Sequence, residues 1–427
     1  MQSIGRGIFA APQSAATSVA AGRRRRRSPL FPPRDDRPFY LPALLIRSVL
    51  VFLLFDLTVI SPDLILGFRE DPPETRRSET VAPGVEHVEI RRGNLAAALE
   101  ADRWVIHALV LDPRHVRLSL GRAFDGGVGV ETTSSIAGRH DALAAVNGGY
   151  FRTEGLYRGE PAGIVVRGAK VLSEPYRKRP GLAVSGADGS TKLGFINVVV
   201  RADAVAADGT SRAINGVNRP RLDDDLILFT PDFHRTTLTG PNGIEAVVAA
   251  GLIVAIHDGA GSRAIPADGF VLSAHGTARR WVREHLRPGT SVEVRTVTKV
   301  EPELRFDPEF ILGGGPVLLR GGAPVAAADT GEYAAGFRLE RHPRTAVGAR
   351  ADGRLILVTV DGRQPALSVG MTIDELTALM KELGCREAIN LDGGGSTTMV
   401  IRGKVVNHPS DAAGERPVGD ALLVFLR

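Results

Sequence analysis

Carboxylates, guanidinium groups and hydroxyls recur in this sequence beside glycine turns, and that grouping is the first place to look for chemistry. Asn390-Leu391-Asp392-Gly393-Gly394-Gly395-Ser396-Thr397-Thr398 follows a short apolar run and carries one carboxylate, three glycines and three hydroxyls. Consecutive glycines weaken regular structure, so a chain that keeps them needs a sharp turn, positive φ, or close approach of its backbone to a ligand. Val146-Asn147-Gly148-Gly149-Tyr150-Phe151 repeats the arrangement, although a tight hairpin with Asn in a left-handed conformation would give the same pattern. Leu312-Gly313-Gly314-Gly315-Pro316 is a third glycine turn. None of the three is a nucleotide loop, because the terminal Gly-Lys-Ser/Thr and the Gly-x-Gly-x-x-Gly helix opening are both missing. Arg344, Arg363 and Arg416 lie close to the turns. Arginine grips phosphate or carboxylate through paired donors, so an anionic substrate follows if these side chains face the site rather than solvent.

Asp361 and Asp392 are the two carboxylates that could work as a pair, one as nucleophile or base and the other as acid. The same acidic edge, with Asn and Ser oxygens, would suit a divalent cation such as Mg²⁺ or Ca²⁺ better than Zn²⁺. His275, in Ser273-Ala274-His275-Gly276, reads equally as an acid/base or ligand and as a hydrogen-bonded structural histidine. Asp223, Asp224 and Asp225 read as a solvated acidic turn.

The elements around these residues say how they come together. Leu355–Val360 reads as a strand ending at Asp361-Gly362-Arg363. Thr372 and Glu375 form a capping box, and Ile373, Leu376, Met380 and Leu383 recur at helical spacing before Gly384. A second strand then leads to Asp392. Strand, helix and strand predict a βαβ unit with parallel strands, which would place Asp361 and Asp392 on one sheet edge if the strands are close neighbours.

Elsewhere from Val85 onward, short β-like runs alternate with Gly, Asp and Pro. They include Trp104–Leu111, Val116–Leu120, Gly163–Val166, Leu226–Phe229, Val247–Ile256, Ser291–Val300 and Pro316–Leu319. Helical stretches are few: near Ala97, over Arg279–Glu284, and after Thr372. The expected architecture is α+β, a single large domain of mixed sheets over residues 85–427.

The net charge of +5 is unevenly placed. Residues 1–47 hold nine arginines and two aspartates, or +7, leaving the remainder near −2. The globular part therefore gives no support to a nucleic-acid partner. Residues 1–40 read as a basic disordered tail, and 41–68 as a signal anchor or transmembrane segment interrupted by Arg47, Asp56 and Asp63. Residues 69–84, with Pro72, Pro73 and Pro83, read as a linker. The domain is then expected outside the cytoplasm, anchored to the membrane or secreted. Cys385 is the only cysteine, which excludes an intrachain disulfide and a thiolate metal cluster.

Taken in order, Asn147-Gly-Gly-Tyr-Phe, Arg344-Thr-Ala, Asp361-Gly-Arg, Leu391-Asp-Gly-Gly-Gly-Ser-Thr, Asn407-His-Pro-Ser-Asp and Glu415-Arg-Pro-Val resemble the phosphodiester glycosidase family, from about Ala142 to the C-terminus. The resemblance implies hydrolysis of a sugar joined through its anomeric oxygen to a phosphodiester. It carries active-site roles to Asn147, Arg344, Thr345, Asp361, Arg363, Asp392, Ser396 and Arg416, with Gly393, Gly394 and Gly395 against the substrate. A chain with one cysteine and an N-terminal anchor points to a cell-envelope or exported glycan. The competing expectation is a non-catalytic polysaccharide-binding protein that assists glycan assembly or export.

Overall fold

The computed structural model describes residues 74–93, 103–326, 331–334 and 336–427. They form one large, mostly β domain, with four sheets and three α-helices among the described residues. The expected tail, the expected anchor and the helix expected near Ala97 lie outside the described residues. No described helix is long and apolar enough to cross a membrane.

The principal sheet has eight strands. Across it, in order, lie Glu74–Ala82, Val85–Arg92, Trp104–Leu111, Leu355–Val360, Arg344–Arg350, Cys385–Asn390, Val317–Arg320 and Ala323–Pro324. The expected strand–helix–strand unit is present, with one correction. The strands Leu355–Val360 and Cys385–Asn390 do run the same way, but Arg344–Arg350 lies between them, antiparallel to both. Their C-terminal ends still share an edge. The inserted strand brings its own N-terminus, Arg344-Thr345, to that edge. The Ile373–Glu382 helix has the predicted capping box, with Thr372 Oγ accepting from Glu375 N–H at 3.1 Å and Glu375 accepting from Thr372 N–H at 2.9 Å.

Strand period two divides the core. Ile356, Val358 and Val360 face one way and pack with Ile373, Leu376, Leu379 and Met380 of the helix. Leu355 and Leu357 face the other way, against Val146, Met399 and Leu422 of a five-stranded sheet. That second sheet contains Val116–Arg122, Ala144–Asn147, Met399–Ile401, Lys404–Val405 and Asp420–Leu426. Cys385 is buried beside Met380 and Gly348, and burial pushes its thiol up to about 12, which suits packing rather than reactivity.

Two sequence expectations fail here for physical reasons. Most of the supposed linker 69–84 is an edge strand, Glu74–Ala82, that turns at Pro83-Gly84 and pairs with Val85–Arg92. Seven of its nine residues are exposed, so it lacks apolar alternation. Its charge, including the Glu74–Arg92 ion pair, is the usual protection of a sheet edge. The run Val247–Ile256 is not one strand. It contains the turn between Ile244–Ala249 and Leu252–Asp258, where Ala250 and Gly251 both take positive φ.

Candidate active site

The site begins at the shared strand edge. Asn147, at the end of its own strand, is fully buried and joins the two sheets there. Its Nδ2 donates to the Asp392 carbonyl at 2.7 Å, and its Oδ1 accepts from Thr345 Oγ at 2.7 Å and Thr398 N–H at 3.2 Å. Asn147 and Thr345 thus act on the turn from behind. They fix Asp392 rather than face a substrate.

The glycines after Asp392 have a steric cause. A Cβ on Gly395 would lie 2.2 Å from Arg416 Nη2 and 2.3 Å from Asp411 Oδ1. Gly394 has φ +61°, and a Cβ there would lie 2.9 Å from Arg363 Nη2. Two guanidinium groups therefore flank the turn, and only glycine admits them both. Arg363 is exposed. Arg416 is half-buried and held by Asp411 through Nε at 2.8 Å and Nη2 at 3.0 Å. A cavity of about 420 Å³ opens beside it, lined by Phe151, Thr153, Arg158, Asp411, Glu415 and Arg416 among others. A cavity of about 450 Å³ elsewhere, between Lys170 and Thr296, contains none of the candidate residues.

Three carboxylates lie near this edge, in different states. Asp392 keeps some exposed surface. Burial pushes its carboxyl up to about 6, against the Ser396 hydroxyl, the Gly393 N–H and the charge of Arg416, which all favour the ionised form. Asp420, unnoticed in the sequence, is 2% exposed and accepts from Gly149 N–H at 2.7 Å. Burial pushes it also to about 6, and its charge disfavours ionisation of Asp392. Asp361 is 0% exposed. It accepts from Asn407 Nδ2 at 3.0 Å and from the His408 N–H at 3.0 and 3.1 Å, and His408 Nδ1 lies 2.9 Å from its Oδ2. The Asp361–Asp392 pair expected from the sequence is therefore not an open pair flanking one bond. The acidic and imidazole groups that do converge are His107, Asp361 and His408, whose ligand atoms all lie within 4.8 Å of one another.

Arg344 is 2% exposed and spends its fork largely on backbone. Nε donates to the Met371 carbonyl at 2.8 Å, and Nη2 to the Phe337 and Glu340 carbonyls at 3.0 and 2.8 Å. It ties the Phe337–Glu340 turn to Met371, and burial lowers its pKa to about 10. His275 is not part of the site. It stands at the N-cap position of the Gly276–His285 helix, without a side-chain capping bond, just after the strand Gly269–Ala274 of another sheet, with its Nδ1 3.4 Å from Asp223. The acidic turn is only partly solvated: Asp225 is buried and paired with Arg219 at 2.7 Å.

Several hydroxyls at the edge have no hydrogen-bond partner despite burial, namely Ser396, Thr397, Thr398 and Thr359. Buried polar groups are normally satisfied, so a cluster of orphans marks a place where water, an ion or a ligand completes the set. Sequence reasoning also missed Tyr150 and Asn390. The Tyr150 hydroxyl donates to the Gly315 carbonyl at 2.6 Å and accepts from Asn390 Nδ2 at 2.8 Å. Both belonged to quoted motifs, and the period-two placement of Asn390 ahead of Asp392 was the available signal.

Fold and site together describe a domain with an anion-receptive, carboxylate-bearing edge. Residues 242–425, a little under half of the chain, match the family model described as phosphodiester glycosidase. Among curated relatives, an 84-residue stretch is 44% identical to the prophage-derived protein YomE of Bacillus subtilis, covering 20% of this chain and 13% of that one. A 68-residue stretch is 41% identical to the N-acetylglucosamine-1-phosphodiester alpha-N-acetylglucosaminidase of Mus musculus, covering 16% of this chain and 13% of the relative. The chain thus aligns with only about an eighth of the length of these relatives. Among solved structures, a protein of Burkholderia pseudomallei described as exported superposes with TM-score 0.73 at 26% identity, over 83% of this chain and 97% of that one. A Synechocystis protein superposes with TM-score 0.69 at 22% identity, over 84% and 64%, which speaks to fold alone.

Proposed function

We propose that this chain hydrolyses a sugar-1-phosphodiester, releasing the free sugar and a phosphomonoester. The observation that carries the reading is Asp392: of Asp361, Asp392 and Asp420 it alone is not fully buried as a residue, and its turn is flanked by Arg363 and Arg416. Water adds its oxygen to the anomeric carbon, the bond from that carbon to the phosphate oxygen breaks, and the proton taken from water returns to the departing phosphate or to solvent. Asp392 serves as the base or nucleophile at the anomeric carbon. A phosphodiester leaving group is a weak base and needs little proton donation, so the two guanidinium groups supply the larger share by stabilising its charge. Asp420 is a positioning residue that holds Gly149, and its charge adds to the burial that raises the Asp392 carboxyl. Asn147, Thr345 and Arg344 position the turn and the loops about it, and the Ser396 hydroxyl lies near the Asp392 carboxyl. The enzymes named for N-acetylglucosamine-1-phosphodiester cleavage supply the substrate class, and the neighbour described as exported supports a glycan of the envelope or exterior.

The test is a panel of sugar-1-phosphodiesters, α-N-acetylglucosaminyl compounds included, incubated with wild type and with Asp392→Asn. Free sugar from wild type alone upholds the reading. Turnover retained by the variant removes Asp392 from the chemistry. Glycan binding by both proteins with no product from either would favour a polysaccharide-binding role.

A further inference from the structure

Asp361, the buried carboxylate that the hydrolytic reading leaves without a chemical task, belongs to a second polar cluster beside the site. The strand Trp104–Leu111 lies next to Leu355–Val360, and the register sets His107 opposite Thr359 and Thr359 opposite Thr345. All three therefore stand on the face that looks toward the second sheet. Asp361 continues the same face two residues after Thr359. From the other sheet's side, Asn407 and His408 reach Asp361.

His107 is only 2% exposed, and its two ring nitrogens are treated differently. Nδ1 lies 3.1 Å from His87 Nε2, and the two rings stack at 5.3 Å. Nε2 is buried and has no partner. The hydroxyl of Thr359, directly across the strand pair, is buried and unpartnered as well. An ordinary core histidine would be expected to satisfy both nitrogens or to expose one. Here the unsatisfied nitrogen belongs to a residue whose ligand atom lies within 4.8 Å of Asp361 and His408 donors.

We propose that His107, Asp361 and His408 form a binding site for a divalent cation of the zinc class. Two imidazoles and one carboxylate are the donors that borderline-soft ions such as Zn²⁺ take, whereas Mg²⁺ and Ca²⁺ prefer oxygen throughout. His87 supplies the outer support common in such sites, since a hydrogen bond to Nδ1 fixes the tautomer that leaves Nε2 free to coordinate. Asn407 holds the carboxylate through Nδ2. His408, whose side chain is 47% exposed, is the ligand free to swing and close on an ion. Water would complete a tetrahedral set.

Such an ion ties the Asn407–Asp411 segment to the sheet edge. That segment carries Asp411, which fixes Arg416 against the Asp392 turn. The cation would thus secure one of the two arginines without touching the substrate.

The experiment uses the untagged full chain, stripped with chelator and then dialysed against ZnCl₂, CoCl₂, MgCl₂ or CaCl₂ before metal analysis. One equivalent of zinc should bind, with a rise in melting temperature, and Co²⁺ should show the visible absorption of a tetrahedral nitrogen–oxygen site. His408→Ala, on the surface, should keep its circular dichroism and lose at least tenfold in zinc affinity. His107→Gln should lose it too. Three results would overturn the proposal: no stoichiometric zinc, retention by either folded variant, or preference for Mg²⁺ or Ca²⁺. If His107→Gln does not fold, His408→Ala and the cobalt spectrum still decide.

Discussion

Glu245 and Asp392 are both acidic groups withdrawn from water, and their surroundings differ in one respect. Glu245 is 0% exposed and fully provided for: it accepts from Thr239 Oγ at 2.7 Å, Ser273 Oγ at 2.8 Å, the Arg263 N–H at 3.0 Å and Thr237 Oγ at 3.1 Å. Asp392 is less buried, yet hydroxyls close by it, on Ser396, Thr397 and Thr398, lack partners. The first is a closed polar network that specifies how one sheet packs. The second is an open one, and an open network retains donors for something that arrives later. Burial alone separates nothing here, and completeness of hydrogen bonding does.

If the contrast is right, substitutions at the two places must fail differently. Asp392→Asn should lower turnover by roughly 10³-fold or more while the protein stays folded, measured as kcat on a cleavable sugar-1-phosphodiester. Arg416→Ala and Arg363→Ala should each cost on the order of 10²-fold, with the larger share in kcat if the guanidinium groups act on the departing phosphate. Glu245→Gln should do the reverse. It should lower unfolding free energy in denaturant by about 2–3 kcal/mol, since two of the four donors would then face an amide NH₂ instead of an oxygen, and leave turnover per folded molecule unchanged.

The pH dependence sharpens the same contrast. Asp392 and Asp420 carry pKa values raised to about 6 in the folded protein. A raised carboxyl pKa favours the protonated folded state, so this contribution to stability is full below about pH 4 and is lost as pH rises through about 6. Asp392→Asn should therefore be more stable than wild type at pH 8, by about 1–3 kcal/mol, and lose that advantage toward pH 4. Activity should move oppositely, with kcat/KM falling as pH drops below about 6. A variant that loses activity without gaining stability at pH 8 would break the assignment of strain to this carboxyl. Last and smallest, His275→Ala should change stability by under about 1 kcal/mol and turnover not at all.

The strand–helix–strand unit was legible because its signals are local: the capping box at Thr372, the apolar period after it, and the stop at Gly384. The positions of the glycine turns were legible for the same reason, since their residue types are rare in combination. Which way a side chain faces was not. Asn147, Arg344 and Asp361 look like functional residues in a string of letters, but their partners lie 198, 27 and 46 positions away and turn them inward. His107 was invisible for the opposite reason. It sits in the apolar run Trp104–Leu111, where a single histidine reads as core, and only the register with Thr359 shows what it faces. Nor does any local pattern announce that Arg344–Arg350 slides between two parallel strands.

That topology has a consequence during synthesis. Trp104–Leu111 can pair at once with Val85–Arg92, but its other edge waits for Leu355–Val360. The ribosome adds roughly 5–20 residues each second, so an apolar strand edge stays open for a time on the order of ten to fifty seconds. Distant pairing of this kind also folds slowly once the chain is complete. The nascent chain is thus exposed to intermolecular strand addition for most of its translation, and its yield in a cell should depend on holdase chaperones more than its finished stability would suggest.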